Sequence, residues 1–229
     1  DWWDEDGKLV PMYLSDDEAE FYTAVTGLSQ AAVMYTEDIQ LLKPERQKLL
    51  SMVLPIYERG IFRPVDMFRT ISPKILKLNC KEGNREWIIA AGLNWTDHID
   101  DNGLDLGQLN LKRNNQYHAF DIFRQEYLGI VLSDKSIGPI NAHGVRLINL
   151  VPASDRPQVI GTDLHISQGG VEISNEVWDE SRKKLTVGLK DLFSRKGFIF
   201  IHLPSSFSAI EQIKIDKMEV ANGTIIKLP

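Results

Sequence analysis

The spacing of apolar positions changes along the chain. Between residues 15 and 54 it is helical. Ser15 precedes Asp16, Asp17 and Glu18; a Ser followed three residues later by Glu predicts a capping box, and the early acids suit the positive end of a helix dipole. Phe21, Tyr22, Val25 and Leu28 share one face, and this helix is predicted to run to about Thr26 and stop at Gly27. Pro44, in the favoured first position, opens a second helix that presents Leu49, Leu50, Val53 and Leu54 and ends before Pro55. Between the two, residues 31–35 (AAVMY) form an unbroken apolar run, the pattern of a strand buried on both faces. Helix, buried strand, helix is a fragment of an alternating α/β layer. One such unit leaves its strand without partners.

From Pro73 the pattern becomes that of short strands between turn residues. Strands are expected at 75–78, 87–93, 117–123, 127–132, 145–150, 159–162, 185–189, 198–203, 213–215 and 225–228. Leu185, Val187 and Leu189 alternate with Thr186 and Gly188, as a sheet with one wet face requires. Asn222-Gly223 is the strongest hairpin signal. Residues 156–173 (RPQVIGTDLHISQGGVEI) read as a β hinge: Val159-Ile160 is closed by Gly161, and Gly169-Gly170 resets the backbone before Val171 and Ile173. Many short strands at such spacing predict an antiparallel β-sandwich. Arg63-Pro64 and Ser72-Pro73 punctuate the boundary, giving two expected units, residues 1–70 (helix, buried strand, helix) and 71–229 (sandwich).

Composition narrows the function. The chain is 43% apolar and 25% charged, in the range of a soluble globular protein. A net charge of −6 argues against a surface that tracks phosphates, so nucleic acid is not an expected partner. No uncharged apolar run is long enough to span a bilayer, and the acidic opening Asp1-Trp2-Trp3-Asp4 is the opposite of a signal segment. The single Cys80 offers neither an internal disulfide nor a CxxC metal spacing.

The chemistry-bearing residues each have a plain alternative. Asp97, Asp100, Asp101 and Asp105 crowd one segment with oxygen ligands, but they lack the ligand order of a calcium loop, and a solvated loop accounts for them better. None of the five histidines lies at HExxH spacing, so no metal site is expected. Nucleotide-binding glycine motifs and the G-x-S-x-G elbow are absent. Asn94-Trp95-Thr96 and Asn222-Gly223-Thr224 match the glycosylation pattern. Trp2 and Trp3 beside Asp1 combine aromatic faces with carboxylates, as sugar sites do; a frayed terminus is the alternative. Asp38 follows the apolar run, where barrel strands aim residues at an active-site face; without a barrel it only caps a helix.

AAVMYTEDIQLLKPERQKLL, RPVDMF, AGLNWTD, HAFDIFRQEYLG and RPQVIGTDLHISQGG, in that order, resemble the carboxyl-terminal part of the large α-galactosidases, the melibiase-like clan D glycoside hydrolases. The resemblance implies a mainly β chain, in which residues 1–70 are a helix-strand-helix remnant of a (β/α)8 barrel and residues 71–229 the terminal β-sandwich. It implies a retaining hydrolase of terminal α-galactosides whose two catalytic aspartates, roughly 5 Å apart, lie on earlier barrel strands. No catalytic residue is then expected in this chain, which alone would be inactive. Asp1 would be what is left of an Asp-Pro-Asp segment past the acid/base residue, and Asp1, Trp2, Trp3 and Asp38 would be substrate-binding. No cofactor or metal is implied. The expected partners are a galactoside, in the parent enzyme, and the rest of the barrel or a second copy of this chain. A non-catalytic carbohydrate-binding module and a structural domain are the alternatives.

Overall fold

The computed structural model describes every residue except 1, 4, 5, 8, 11, 12, 37, 113, 114, 193, 194, 208–215, 221, 222 and 229, with the backbone alone at 2, 3, 9, 10 and 216–220. Strands β1 (Trp2–Trp3) and β2 (Leu9–Val10) pair with each other. Helix α1 (Asp16–Ser29) opens with both arms of the capping box: the Glu18 amide donates to Ser15 Oγ at 3.2 Å, and the Ser15 amide to Glu18 Oε2 at 2.7 Å. It passes Gly27 and ends at Gln30 in the left-handed conformation. Gly27 therefore serves packing rather than termination, because a Cβ there would lie 2.7 Å from Ile166 Cδ1 and 3.0 Å from Val53 Cγ1. Helix α2 (Pro44–Met52) starts at its proline as expected.

The run between the helices is not a strand. Residues 31–36 have no regular structure and join none of the described sheets, and Ala31, Ala32 and Met34 are exposed. Strands are stabilised by the ladders of their neighbours, and no described strand pairs with this run. Only Val33 and Tyr35 reach the core, with the Tyr35 hydroxyl donating to the Leu50 carbonyl at 2.7 Å.

The remaining strands are β3 (Ile61–Pro64), β4 (Ile75–Glu82), β5 (Arg85–Leu93), β6 (Leu104–Asp105), β7 (Tyr117–Asp121), β8 (Glu126–Val131), β9 (Ser136–Ile137), β10 (Val145–Pro152), β11 (Gln158–Thr162), β12 (Ile173–Asp179), β13 (Lys184–Leu189), β14 (Ile199–Pro204), β15 (Asp216–Val220) and β16 (Gly223–Leu228). They pair antiparallel in a six-stranded sheet, β3-β4-β5-β10-β7-β8, a four-stranded sheet, β11-β14-β16-β15, and the ladders β12-β13 and β6-β9. The molecule is mainly β, an antiparallel sandwich with two helices near its amino end, as the pattern predicts. The expected strand at 213–215 lies outside the described residues. β15 and β16 pair with Val220 opposite Gly223, so Gly223 begins a strand; Asn222, the other half of the expected turn, lies outside the described residues.

Alternation sorts the six-stranded sheet into two buried faces. Leu76, Leu78, Trp87, Ile89 and Leu147 pack with Phe21, Ala24, Leu28 and Met52 of the helices. Ile75, Ala90, Ile148 and Leu150 turn the other way, onto Leu104, Leu106 and Leu109. Towards β7, the helix-bearing side meets the second sheet instead: Phe120 stacks on Phe200 with centroids 4.7 Å apart, and His118 on His202 at 4.2 Å. The outer face of the four-stranded sheet, Val159, Ile199, Ile201 and Ile226, is covered by Ile173, Leu185 and Val187 of the β12-β13 hairpin.

Candidate functional site

The residues singled out in the sequence do not converge among the described side chains. The side chains of Asp1, Trp2 and Trp3 lie outside them. Asp38 is exposed and caps the short 3-10 turn Ile39–Leu41, its Oδ1 accepting from the Gln40 amide at 3.1 Å. In the acidic segment Asp100 accepts from the Asn102 amide and Asp105 from the Gly107 amide and the Gln108 side chain, while Asp97 meets His143 Nε2 at 2.7 Å. No group of three His, Cys, Asp or Glu able to hold a metal exists among the described residues. The Asn94 amide is buried and donates to the carbonyls of His98, Ile140 and Asn141, so folding withdraws that glycosylation match from solvent. No helix among the described residues is long and apolar enough to cross a membrane.

The stretch from Thr162 to Glu172 forms a polar knot whose every member has a structural task. Glu172, fully buried, accepts from the Thr162 hydroxyl at 2.5 Å, the Gly169 amide at 2.8 Å and the Val171 amide at 3.2 Å; burial raises its pKa. Gln168 receives the Thr162 amide and donates to the Thr162 and His165 carbonyls. His165 accepts the Ser167 amide on Nδ1 at 3.0 Å, so Nε2 carries the proton given to the Pro55 carbonyl at 2.9 Å. With Nδ1 an acceptor, the Ser167 hydroxyl 2.7 Å away donates to it and itself accepts the Gly170 amide. This imidazole is neutral, burial lowering its pKa to about 4. A Ser beside a His suggests nucleophilic catalysis only where substrate can reach it, and both residues are fully buried.

Arg85 lies over this knot. Its guanidinium is 4.3 Å from the Trp87 ring centroid, donates to the Gln168 carbonyl at 3.0 Å and pairs with Glu176 at 3.2 Å. Gly169 makes room for it: φ is +108°, and a Cβ would fall 1.9 Å from Arg85 Nη1, so glycine is required both sterically and conformationally. The Ile166 amide donates to the Met52 carbonyl at 2.9 Å, and Lys48 meets Asp163 at 2.7 Å. The knot therefore fastens α2 to the sheets.

Other ionisable groups also sit at joints. Asp121, fully buried, receives Arg146 Nη1 at 2.6 Å and the Arg124 amide at 3.1 Å. Glu20 on α1 has its pKa raised to about 7, chiefly by burial. His118 is lowered to about 4 by burial and by His202, with Tyr127 Oη 2.8 Å from its Nδ1.

An accessible concavity occurs at the end of the sandwich, where three turns meet. Ser154, Asp155 and Arg156 between β10 and β11, Glu180 and Lys183 between β12 and β13, and Ser206 and Phe207 after β14 line an open groove of about 580 Å³. Its walls are fixed locally. The Ser154 amide donates to Gln158 Oε1 at 3.0 Å, Phe207 packs edge-to-face on Trp178 at 5.4 Å, and the Trp178 indole donates to Glu180 Oε2 at 2.6 Å. Glu180 also pairs with Lys183. Of the lining residues only Arg156 stands out in the sequence, as the start of the β-hinge segment 156–173. The signal was present in three turn-rich segments, SDRP, DESRK and PSSF, but nothing in one dimension says that they adjoin.

No protein-family model matches the sequence, and no curated protein matches it. Solved structures do. A protein assigned as an α-N-acetylgalactosaminidase from Bacillus halodurans C-125 aligns over 65% of this chain and 36% of its own, with 13% identity and a TM-score of 0.50. α-Galactosidase I from Mortierella vinacea aligns over 62% and 38% (13% identity, TM-score 0.46), and a GH27 β-L-arabinopyranosidase from Geobacillus stearothermophilus over 67% and 34% (16% identity, TM-score 0.49). This chain thus spans little more than a third of the length of each. The likeness to the Bacillus halodurans protein shows the fold alone: about two thirds of this chain is built like about a third of that one.

Proposed function

We propose that this chain is the carboxyl-terminal portion of an α-galactosidase-like retaining glycoside hydrolase, and that hydrolysis of terminal α-galactosides belongs to the longer protein. The observation that carries the reading is the fold likeness to the Bacillus halodurans protein, over 65% of this chain but 36% of that one. Two features add support: the order of the segments from AAVMY to RPQVIGTDLHISQGG, and the exposed apolar run at 31–36, which joins none of the described sheets and suits a barrel strand whose neighbours lie elsewhere. In this reading residues 1–70 are the end of the barrel and 71–229 the sandwich. The catalytic aspartates belong to earlier strands. Asp1, Trp2, Trp3 and Asp38 face the substrate, and the run at 31–36 pairs with the remaining barrel or with a second copy.

An aryl α-galactoside separates the outcomes. The isolated chain is expected to release no phenol above a blank, and the protein extended by its upstream coding region is expected to hydrolyse the same substrate. Robust turnover by the isolated chain, abolished on replacing one of its own carboxylates, overturns the assignment.

A further inference from the structure

None of the residues that line the groove at the end of the sandwich is one the glycosidase reading assigns to substrate, and the lining balances its charges. Asp155 and Glu180 supply two carboxylates, Arg156 and Lys183 two cations, and Ser154 and Ser206 two hydroxyls, beside the Phe207 ring. An anionic ligand would meet both carboxylates and a cationic one both bases, so the site discriminates against net charge of either sign. What the lining does match is a molecule that donates and accepts hydrogen bonds along its edge and offers C–H groups on its face. That description fits a pyranose: its hydroxyls can donate to carboxylates and accept from Arg and Lys, while its ring lies against an aromatic side chain.

Ser154, Glu180 and Phe207 are held from behind, while Asp155, Arg156 and Ser206 stand exposed at the rim. Trp178 steadies Phe207 from the side and Glu180 from its indole N–H, and Gln158 fixes Ser154 through both its amide and its hydroxyl, at 3.0 and 2.5 Å. Preorganisation of this kind lowers the ordering cost of binding. The volume, about 580 Å³, falls within the range of about 300–1,000 Å³ typical of small-ligand sites and admits one or two sugar rings.

From this arrangement we infer that the groove formed by residues 154–156, 180, 183, 206 and 207 is a binding site for neutral glycans. It would hold the polymer or oligosaccharide on which an attached catalytic unit acts, or serve as the sole sugar contact of this chain.

The test is nuclear magnetic resonance of the full 229-residue chain, titrated with neutral disaccharides (melibiose, lactose, maltose and cellobiose), with inorganic phosphate and sialic acid as charged controls. At least one neutral disaccharide is expected to shift the Trp178 indole N–H, which reports on Glu180 directly, together with the backbone amides of 155, 156 and 180–183; the charged controls are expected to leave them in place. Arg156→Ala and Glu180→Gln are expected to weaken the response at least tenfold without changing the melting temperature. Phe207→Ala is expected to do the same to binding, but Phe207 also packs on the outer apolar cluster, so the two surface variants decide. Silence from all four sugars, equal shifts with the charged controls, or undiminished binding by both surface variants overturns the inference. No turnover is measured, so this result and the fate of the glycosidase reading are independent.

Discussion

His118 and His165 are neutral in the folded protein because burial holds each near pKa 4 rather than 6.5. The unfolded chain therefore binds two protons between those values that the folded chain refuses, and stability, complete above about pH 6.5, falls as the pH drops to about 4. Each imidazole contributes up to about 3 kcal/mol of that loss, at roughly 1.4 kcal/mol per unit. Glu20, raised to about 7, and Glu172, raised by burial, act in the opposite sense, since the folded state keeps their protons as the pH rises. A variant isolates one imidazole from these. His118→Phe keeps a ring against His202, and urea unfolding at successive pH values is expected to show a shallower decline than wild type, by about 3 kcal/mol between pH 7 and 4. Curves that stay parallel over that interval would mean that His118 is not held neutral by the sheet interface.

The helices and the run between them differ in how they are held. Ile166 is almost fully buried, its side chain fills the space beside Gly27, and its amide caps the Met52 carbonyl. Ile166→Ala is expected to cost about 2–5 kcal/mol, as large-to-small changes in cores do. Met34, 87% exposed, lies on the unpaired run, and Met34→Ser is expected to change stability by less than about 0.5 kcal/mol. Denaturant titration of both variants checks the pair, and a large loss at Met34 would place the run inside a core. The contrast also explains what could be read in advance. The capping box was legible because its partners are three residues apart, and β4, β5, β10 and β14 because buried apolar runs need no context to be recognised. Gly27 misled because its reason is a contact with residue 166. The AAVMY run misled because a pattern states what environment a segment suits, not whether the chain provides it. β12 (ISNEVWD) is mostly exposed or half-buried, so no apolar pattern marked it beyond Ile173. The groove escaped notice because it is assembled from three turns, and the Gln-Gly-Gly segment showed only a backbone corner where the fold needs space for Arg85.

At the scale of the molecule, the division at residue 70 and the distribution of the core point to different kinds of unit. One apolar cluster contains Phe21, Ala24, Leu28, Met52, Val53 and Tyr57 from before that point and Leu76, Leu78, Trp87, Ile89, Leu147 and Ile166 from after it. If the first segment is the end of a barrel by descent, it is nonetheless part of the sandwich by packing. Removing residues 1–70 would strip the helices from one face of the six-stranded sheet, leaving Leu76, Leu78 and Ile89 in water, and would take the Lys48 cation from Asp163 and the Pro55 carbonyl acceptor from the His165 Nε2 proton. Each uncovered large aliphatic side chain forfeits about 1.5–3 kcal/mol, and three already approach the whole stability of an ordinary domain, about 5–15 kcal/mol. The intact chain is therefore expected to unfold in one transition, with tryptophan fluorescence and far-ultraviolet circular dichroism giving the same midpoint, and the 71–229 segment alone is expected to aggregate or lack a cooperative transition. Two separated midpoints in the intact chain, or a well-folded 71–229 segment, would show instead that the helices are an appendage and that the sandwich closes its own core.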